Sequence, residues 1–308
     1  MNQSNSPKLR IAVTGSNGYF GSRLCDYFAG QNYTVYQLTS SENAKEKQVR
    51  FTLSDGAAKN FFKDEKIDTL VHVAYDLKQI KRSDIWRINV EGSIKLFEQA
   101  ASEGVQRIVF ISTASAYLGC RSLYGLAKLE IEDALRRMNI GISIRPGLIY
   151  STPLNNSGGI VGNMVGKLQK TSVMPLIGSG EYKLTLAHEQ DLIKLIDYYA
   201  QPEVELPPEG YIIAANPRQY SFRSILENLA KVTRTDGKIT LLPVPWRGVW
   251  LGIKTAETVG LKLGFRSDSI LGLIHQDKEP NFSIPLPEGV SFRDFSSINE
   301  DASVKSKR

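Results

Sequence analysis

The chain has 308 residues, 42% of them hydrophobic, with 38 Lys and Arg against 32 Asp and Glu for a formal net charge of +6. That length and apolar content suit one large domain or two small ones, and no stretch approaches the ~20 apolar residues of a membrane span. The basic residues are scattered among acidic ones, which argues for a solvated surface that attracts phosphorylated ligands and against nucleic acid as a partner.

In chain order, Met1 to Lys8 lacks the apolar core of a signal peptide, so a cytoplasmic location is expected, and the first seven residues read as a disordered tail. The apolar run Leu9-Arg10-Ile11-Ala12-Val13 leads straight into Thr14-Gly15-Ser16-Asn17-Gly18-Tyr19-Phe20-Gly21, a strand entering a glycine turn that opens a helix. Gly15 can take a left-handed backbone, Gly18 lets the main chain approach a pyrophosphate, and Gly21 lets the helix pack closely on the strand. Free N–H groups at the helix start would face the anion. The spacing carries one residue more between the first two glycines than the dinucleotide fingerprint GxGxxG.

Further strands are expected near Thr34–Leu38, Val49–Leu53, Thr69–Ala74, Arg107–Ser112 and Gly141–Arg145, with helical segments between them. Such alternation predicts an α/β fold, a Rossmann-type doubly wound parallel sheet covered by helices on both faces. The helix from about Asp84 to Ser102 spaces Ile85, Ile88, Ile94, Leu96, Phe97 and Ala100 as a buried face, with Asp84 as its N-cap. After Pro146 the alternation gives way to Gly/Ser/Asn-rich loops such as Asn155–Gly159 and Gly178–Gly180, marking a second, smaller region, and Gly210–Ala214 returns to the sheet. From Val244 to Phe265 the residues Val249, Trp250, Ile253, Ala256, Val259 and Leu263 form one stripe, with Lys254 and Lys262 off it. Two readings compete: a helix covering the substrate region, or an interfacial helix placing tryptophans and lysines on anionic lipid. The first is preferred, because most amphipathic helices simply cover a core. The last dozen residues, ending Ser-Val-Lys-Ser-Lys-Arg, read as a second disordered tail.

Tyr124-Gly125-Leu126-Ala127-Lys128 follows the fifth strand and begins a helical stretch to Met138, so phenol and ammonium share a helix face one turn apart. A tyrosine of pKa near 10 must lose about three units, roughly 4 kcal/mol, to act as a base near neutrality, and a lysine charge in a low-dielectric cleft supplies part of that. Two cysteines, Cys25 and Cys120, and the scattered His72, His188 and His275 have no metal-ligand spacing, so no metal is expected.

These motifs together resemble the extended short-chain dehydrogenase/reductases of the NAD-dependent epimerase/dehydratase family. Thr14-Gly15 through Gly21 resembles its TGxxGxxG, which accounts for the glycine spacing, and Tyr124/Lys128 resembles its catalytic YxxxK. His72-Val73-Ala74, Asn89-Val90-Glu91-Gly92, Ile111-Ser112-Thr113-Ala114-Ser115-Ala116-Tyr117, Arg145-Pro146-Gly147-Leu148-Ile149-Tyr150 and His188-Glu189-Gln190-Asp191-Leu192 follow in the family's order. The resemblance implies that Tyr124 is the general acid/base, that Lys128 holds the cofactor ribose and lowers the tyrosine pKa, and that Thr113 bonds the reacting oxygen, with Ser112 and Ser115 as rivals for that hydroxyl role. It implies a cofactor site of Gly15, Asn17, Gly18, Tyr19, Phe20, Gly21, Thr39, Ser40, Thr52, Leu53, Val73, Ala74, Tyr75, Asn89, Ser112, Tyr124, Lys128, Pro146 and Leu148. The Rossmann domain would be residues 1–150 plus about 187–216, and the substrate-binding region 151–186 and 217–308. Family members often form homodimers through the helices that here carry Asn89 and Lys128.

The departures narrow the chemistry. No acid closes the second strand, which ends Tyr36-Gln37-Leu38-Thr39-Ser40-Ser41, and Lys45, Lys47 and Arg50 follow; NAD(P) is expected with a slight lean to NADP, against which Glu42 counts. Ala114 and Ser115 stand where the family's dehydratases carry an Asp-Glu pair, which argues against dehydration, and Cys120 reads as an inert loop thiol. Leu184 occupies the place of an arginine for the substrate diphosphate, with Lys183 beside it as a point charge. The leading expectation is an NAD(P)-dependent epimerase or reductase of a small-molecule substrate, a nucleotide sugar. The alternatives are an NADP-dependent reductase of an apolar, steroid-like or flavonoid-like carbonyl compound, and a non-enzymatic dinucleotide sensor.

Overall fold

In the computed structural model, residues 9–41, 46–261 and 266–298 are described. Glu42, Lys45, Lys262, Leu263 and Phe265 and most of the two expected tails lie outside them. The strands are β1 (Arg10–Thr14), β2 (Thr34–Thr39), β3 (Gln48–Arg50), β4 (Thr69–His72), β5 (Arg107–Ile111), β6 (Gly141–Pro146), β7 (Leu148–Tyr150), β8 (Val173–Ile177), β9 (Lys183–Leu184), β10 (Leu186–His188), β11 (Tyr211–Ala214), β12 (Tyr220–Ser221) and β13 (Thr240–Val244). The helices are α1 (Tyr19–Gly30), α2 (Phe61–Asp64), α3 (Arg82–Ile85), α4 (Glu91–Ser102), α5 (Leu123–Met138), α6 (Gly159–Leu168), α7 (Glu189–Ala200), α8 (Phe222–Thr233), α9 (Trp246–Thr258) and α10 (Ser267–Ile274).

Seven strands form one sheet in the order β11-β6-β5-β4-β1-β2-β3. The pairings β1–β2, β1–β4, β2–β3, β4–β5 and β5–β6 are all parallel. Ile11, Val13, Leu70, Val71, Ile108 and Phe110 are buried without exposure, which is why these strands read as continuous apolar runs rather than as an alternation. This is the expected doubly wound Rossmann-type sheet, whose strand order reverses between β1 and β4, the place where such sheets bind ligands. The run Gly210–Ala214 joins the sheet as β11.

The chain divides into two compact units. One comprises Met1–Ser112, Glu130–Ile144 and Ile193–Ile212; the other comprises Thr113–Leu129, Arg145–Leu192 and Ile213–Arg308. The second unit has its own core, in which Tyr150, Leu168, Leu184, Ile225, Leu229 and Phe295 are buried together.

Three expectations need correction. The third strand is Gln48–Arg50 rather than Val49–Leu53, because Thr52 turns back on Gly56: Gly56 N donates to Thr52 O at 2.9 Å, and Thr52 Oγ1 accepts from Asp55 N at 3.0 Å. The fourth strand stops at His72 rather than Ala74, since the amides of Val73 and Ala74 leave the ladder to donate to Thr14 Oγ1, each at 3.1 Å. The helix expected from Asp84 is α3, a π-helical turn over Trp86–Val90, and then α4. Lys81 occupies the cap position, and Asp84 sits in the first turn facing Arg87 at 3.4 Å. The wider turn rotates the buried face, so Asn89 and Ser93 lie inside while Ile88 and Ile94 are only half-buried. Hydrogen bonds to Asp76 and His72 offset the burial of those two polar groups.

Candidate active site

In the first unit, the turn after β1 is built around two glycines. Gly15 has φ +68°, and a Cβ there would stand 3.0 Å from the Ala74 amide nitrogen; at Gly21 it would stand 2.2 Å from Gly15 O. Only glycine permits both that backbone and that closeness. The Gly18 amide is spent inside the turn, donating to Gly15 O at 2.9 Å, and Gly18 itself has an ordinary φ of −76°. Helix α1 begins directly after it with no side-chain cap and no acid in its first turn. An uncapped helix start beside a glycine cradle fits a dinucleotide pyrophosphate, which would take the Tyr19, Phe20 and Gly21 end of the turn. Phe20 is buried, and Tyr19 lies half-buried with the Arg23 guanidinium 5.0 Å from its ring centroid.

A buried network fixes this turn to the end of β4. Thr14 Oγ1 accepts from both Val73 N and Ala74 N and lies 2.8 Å from His72 Nδ1. With both lone pairs occupied the hydroxyl must donate, so Nδ1 is the acceptor and the ring proton sits on Nε2, which donates to Ser93 Oγ at 2.9 Å. The His72 ring also stacks on Phe110 at 5.7 Å. Half-buried Tyr75 follows, and at Asp76 both main-chain groups are held by Asn89, whose Oδ1 accepts from Asp76 N at 2.6 Å and whose Nδ2 donates to Asp76 O at 3.2 Å. Asn89 thus anchors the β4 loop. Ser93 belongs to none of the sequence motifs; its signal is adjacency to the Asn89–Gly92 motif.

At the end of β2 the buried Thr39 hydroxyl accepts from Asn17 Nδ2 and, at 3.2 Å, from Ser41 N, tying the second strand to the glycine turn. Ser40 is exposed, and Arg50, also exposed, stands opposite Thr39 in the β2–β3 register. Thr52 and Leu53 form the turn beyond β3, where a Cβ on Gly92 would come within 2.1 Å of Leu53 O. That contact accounts for the glycine of the Asn89–Gly92 motif. Ser112 is 3% exposed and donates to the buried Glu132 carboxylate, so its hydroxyl is committed there.

In the second unit, α5 starts one residue before Tyr124 and places Tyr124 and Lys128 one turn apart on one face. Lys128 is 2% exposed, and its ammonium lies 5.8 Å from the Tyr124 ring centroid. Desolvation pushes the Tyr124 phenol up to about 12, although the residue as a whole is only half-buried. The first amides of α5 are all satisfied: Leu123 N and Tyr124 N donate to the two Asp268 oxygens at 2.6 and 3.1 Å, and Gly125 N donates to Ser122 Oγ at 3.1 Å. The loop of Thr113 packs against this end, since a Cβ on Gly125 would stand 2.5 Å from Ser115 O. Thr113 is half-buried, and its hydroxyl accepts from Ser115 N at 3.2 Å while its own proton stays available for donation. Ala114 N donates to Pro146 O at 2.9 Å, joining the loop to Pro146, and Leu148 N donates to Thr185 O at 2.9 Å.

Leu184 is buried in the second unit's core, while Lys183 is exposed on the opposite side of the same strand. Alternation along β9 therefore keeps Lys183 from taking Leu184's place. Cys120 is buried and free of any disulfide. Helix α9 has no fully buried residue: Val249, Trp250, Ile253 and Ala256 are half-buried, and Val259 is 70% exposed. Among the described residues no helix is long and apolar enough to cross a membrane, and no group of three or more His, Cys, Asp or Glu is placed to hold a metal ion.

Known proteins carry the same pattern. The NAD dependent epimerase/dehydratase family matches residues 11–214, well over half of the chain. Bovine short-chain dehydrogenase/reductase family 42E member 1 is 30% identical over 129 residues, 39% of this chain and 33% of that protein. The UDP-glucose 4-epimerase of Bacillus subtilis is 28% identical over 164 residues, 42% of this chain and 48% of the epimerase. The chain thus spans a third of the length of the first of these two proteins and about half of the second. The fold of UDP-glucose 4-epimerase from Thermotoga maritima, solved with UDP-glucose, superposes with a TM-score of 0.62 at 19% identity, covering 86% of this chain and 97% of that one. Other solved structures of this fold are complexes with NAD or with NADP. By the span of the family match, residues 11–214, the chain belongs to the NAD dependent epimerase/dehydratase family.

Proposed function

We propose that the chain is an NAD(P)-dependent epimerase or reductase that works at a hydroxyl/carbonyl carbon of a nucleotide sugar. One observation carries the reading: Tyr124 and a 2% exposed Lys128 stand one turn apart on a helix whose start is fully hydrogen-bonded. A buried ammonium is costly to keep, and a neighbouring phenol that must ionise gives it a use. Tyr124 takes the proton from the substrate hydroxyl, or returns it, while Thr113 donates a hydrogen bond to the same oxygen. Lys128 favours the ionised phenol and holds the cofactor ribose. When bound, the dinucleotide supplies hydride acceptance and return at the reacting carbon. Ser112 is left out of this chemistry, because Glu132 holds its hydroxyl.

Substrate class rests on relatives that are UDP-glucose 4-epimerases and on a fold shared with an enzyme solved with UDP-glucose. We assign substrate binding to residues 151–186 and 217–308, a cytoplasmic setting to the protein, and homodimer formation to the helices carrying Asn89 and Lys128. The cofactor lean is to NADP: residues 39–41 include no acid, and Arg50 faces Thr39 in register, where a 2′-phosphate would be drawn. Arg50→Glu is expected to weaken NADP binding by roughly tenfold and leave NAD binding within twofold. Equal losses for both would remove the lean.

The test is turnover of a panel of UDP- and dTDP-sugars, followed by NMR of the sugar ring and by absorbance of reduced cofactor. Interconversion of epimers, abolished in Tyr124→Phe, is the expected result. Net NADPH oxidation with apolar carbonyl compounds alone would overturn the substrate assignment. Dinucleotide binding without any turnover, unchanged in Tyr124→Phe, would overturn the enzyme reading.

A further inference from the structure

Helix α5 does not supply all of its own N-terminal caps. Its first two amides, one of them the main-chain N–H of Tyr124 itself, are taken by the carboxylate of Asp268, 144 residues further along the chain. Asp268 is 9% exposed and sits in the first turn of α10. That turn is itself fixed, because Glu257 of α9 accepts from Ser267 N at 2.9 Å and from Ser267 Oγ at 2.6 Å. The far end of α10 is tied to the loop that leads into α5: Tyr117 O–H donates to His275 O at 3.1 Å. Gly272 lies against Ser122, whose side-chain atoms would be 3.5 Å from a Cβ there. All of these residues belong to the second unit.

We infer that Asp268 is a positioning residue for Tyr124, holding the tyrosine through its own backbone amide and setting the charge at the start of α5. This rests on the assignment of Tyr124 as acid/base. The physical argument has two parts. First, a two-oxygen carboxylate bound to successive amides fixes the first turn of the helix from outside, so the direction in which the phenol leaves the chain depends on α10 and not on α5 alone. Second, the N-terminus of a helix carries a partial positive charge that would favour a tyrosinate, and a carboxylate seated on it cancels that charge. Ionisation is thereby left to Lys128 and the bound cofactor. The titratable groups placed around Tyr124 are Lys128 on its own helix, Cys120 on the loop packed against Gly125, and Asp268 on α10.

Asp268→Asn keeps one acceptor and loses the charge; Asp268→Ala loses both bonds. Amide exchange at Leu123 and Tyr124 in the full chain should quicken at least about tenfold in Asp268→Ala and by less in Asp268→Asn. The titration of the Tyr124 ring, read by NMR and assigned with Tyr124→Phe, should move to lower pH by roughly half a unit in both variants. On nucleotide-sugar turnover, kcat should fall about tenfold in Asp268→Ala with KM within twofold, and Asp268→Asn should recover part of the loss. Unchanged exchange at the two amides would overturn the inference, as would a lowered melting temperature with the ring titration and kcat unmoved. A chain that turns over no nucleotide sugar would defeat the proposed function alone, because exchange and ring titration read Asp268 without catalysis.

Discussion

Removing the charge of Lys128 tests the proposed pairing of Tyr124 and Lys128 most directly. Burial pushes the Tyr124 phenol up to about 12, so ionisation near neutrality needs stabilisation from a neighbouring positive charge. The Lys128 ammonium lies 5.8 Å from the ring centroid, and a unit charge at that range in an effective dielectric of about 20 contributes roughly 3 kcal/mol, or about two units. Lys128→Met keeps the length and burial of the side chain and deletes this contribution. The sign follows from the base role. The phenol must lose its proton to act in the oxidative direction, loss of the cation raises its pKa, and the ascending limb of kcat against pH moves upward by about two units. At neutral pH kcat should drop about 100-fold and recover above about pH 9, measured with saturating cofactor in both proteins. A limb that stays in place, or a loss that high pH does not restore, would refute the electrostatic role and leave Lys128 a packing group.

Gly92→Ala should destabilise the first unit by several kcal/mol in urea titration, since its Cβ would sit 2.1 Å from a backbone oxygen that cannot easily move, whereas Gly166→Ala, with nothing within 4 Å, should stabilise by roughly 0.5–1 kcal/mol. Thr113→Val should lower kcat about 100-fold with the melting temperature nearly unchanged, while Ser112→Ala should cost stability by about 1–2 kcal/mol and spare kcat, because only the latter removes a buried hydrogen bond to the Glu132 carboxylate. Asp191 is pushed up by burial, but the hydrogen bonds and charge of Arg293 outweigh this and hold its carboxyl below the ordinary range. The stability it contributes is complete above its unfolded value near 4 and is lost as pH falls through the folded one. Arg293→Met should therefore cost roughly 3 kcal/mol at pH 6, with the difference from the parent protein shrinking below about pH 4, read from denaturation at each pH.

Much of the fold was legible because it is local. Period-two and apolar runs mark strands, helical spacing marks α5, and the glycines that cannot carry a Cβ declare themselves at Gly15, Gly21 and Gly92. The misplaced elements have one common cause, which is side chains that draw the main chain out of its regular pattern. Thr14 ends β4 two residues early by taking the amides of Val73 and Ala74. Asn89 and Ser93 turn inward because Asp76 and His72 bond them, and hydrophobic spacing holds no record of that.

By itself, then, the sequence determined the sheet, the motif order, the family and the pairing of Tyr124 with Lys128, all of which follow from spacing along the chain. Tertiary structure set different surroundings for the adjacent hydroxyls of Ser112 and Thr113, burying one against Glu132 and leaving the other half-buried with its oxygen accepting from Ser115 N. It also decided that the start of α5 is capped by Asp268. A capping carboxylate can come from any distance along the chain, since a hydrogen bond depends on where two atoms end up and not on how many residues separate them.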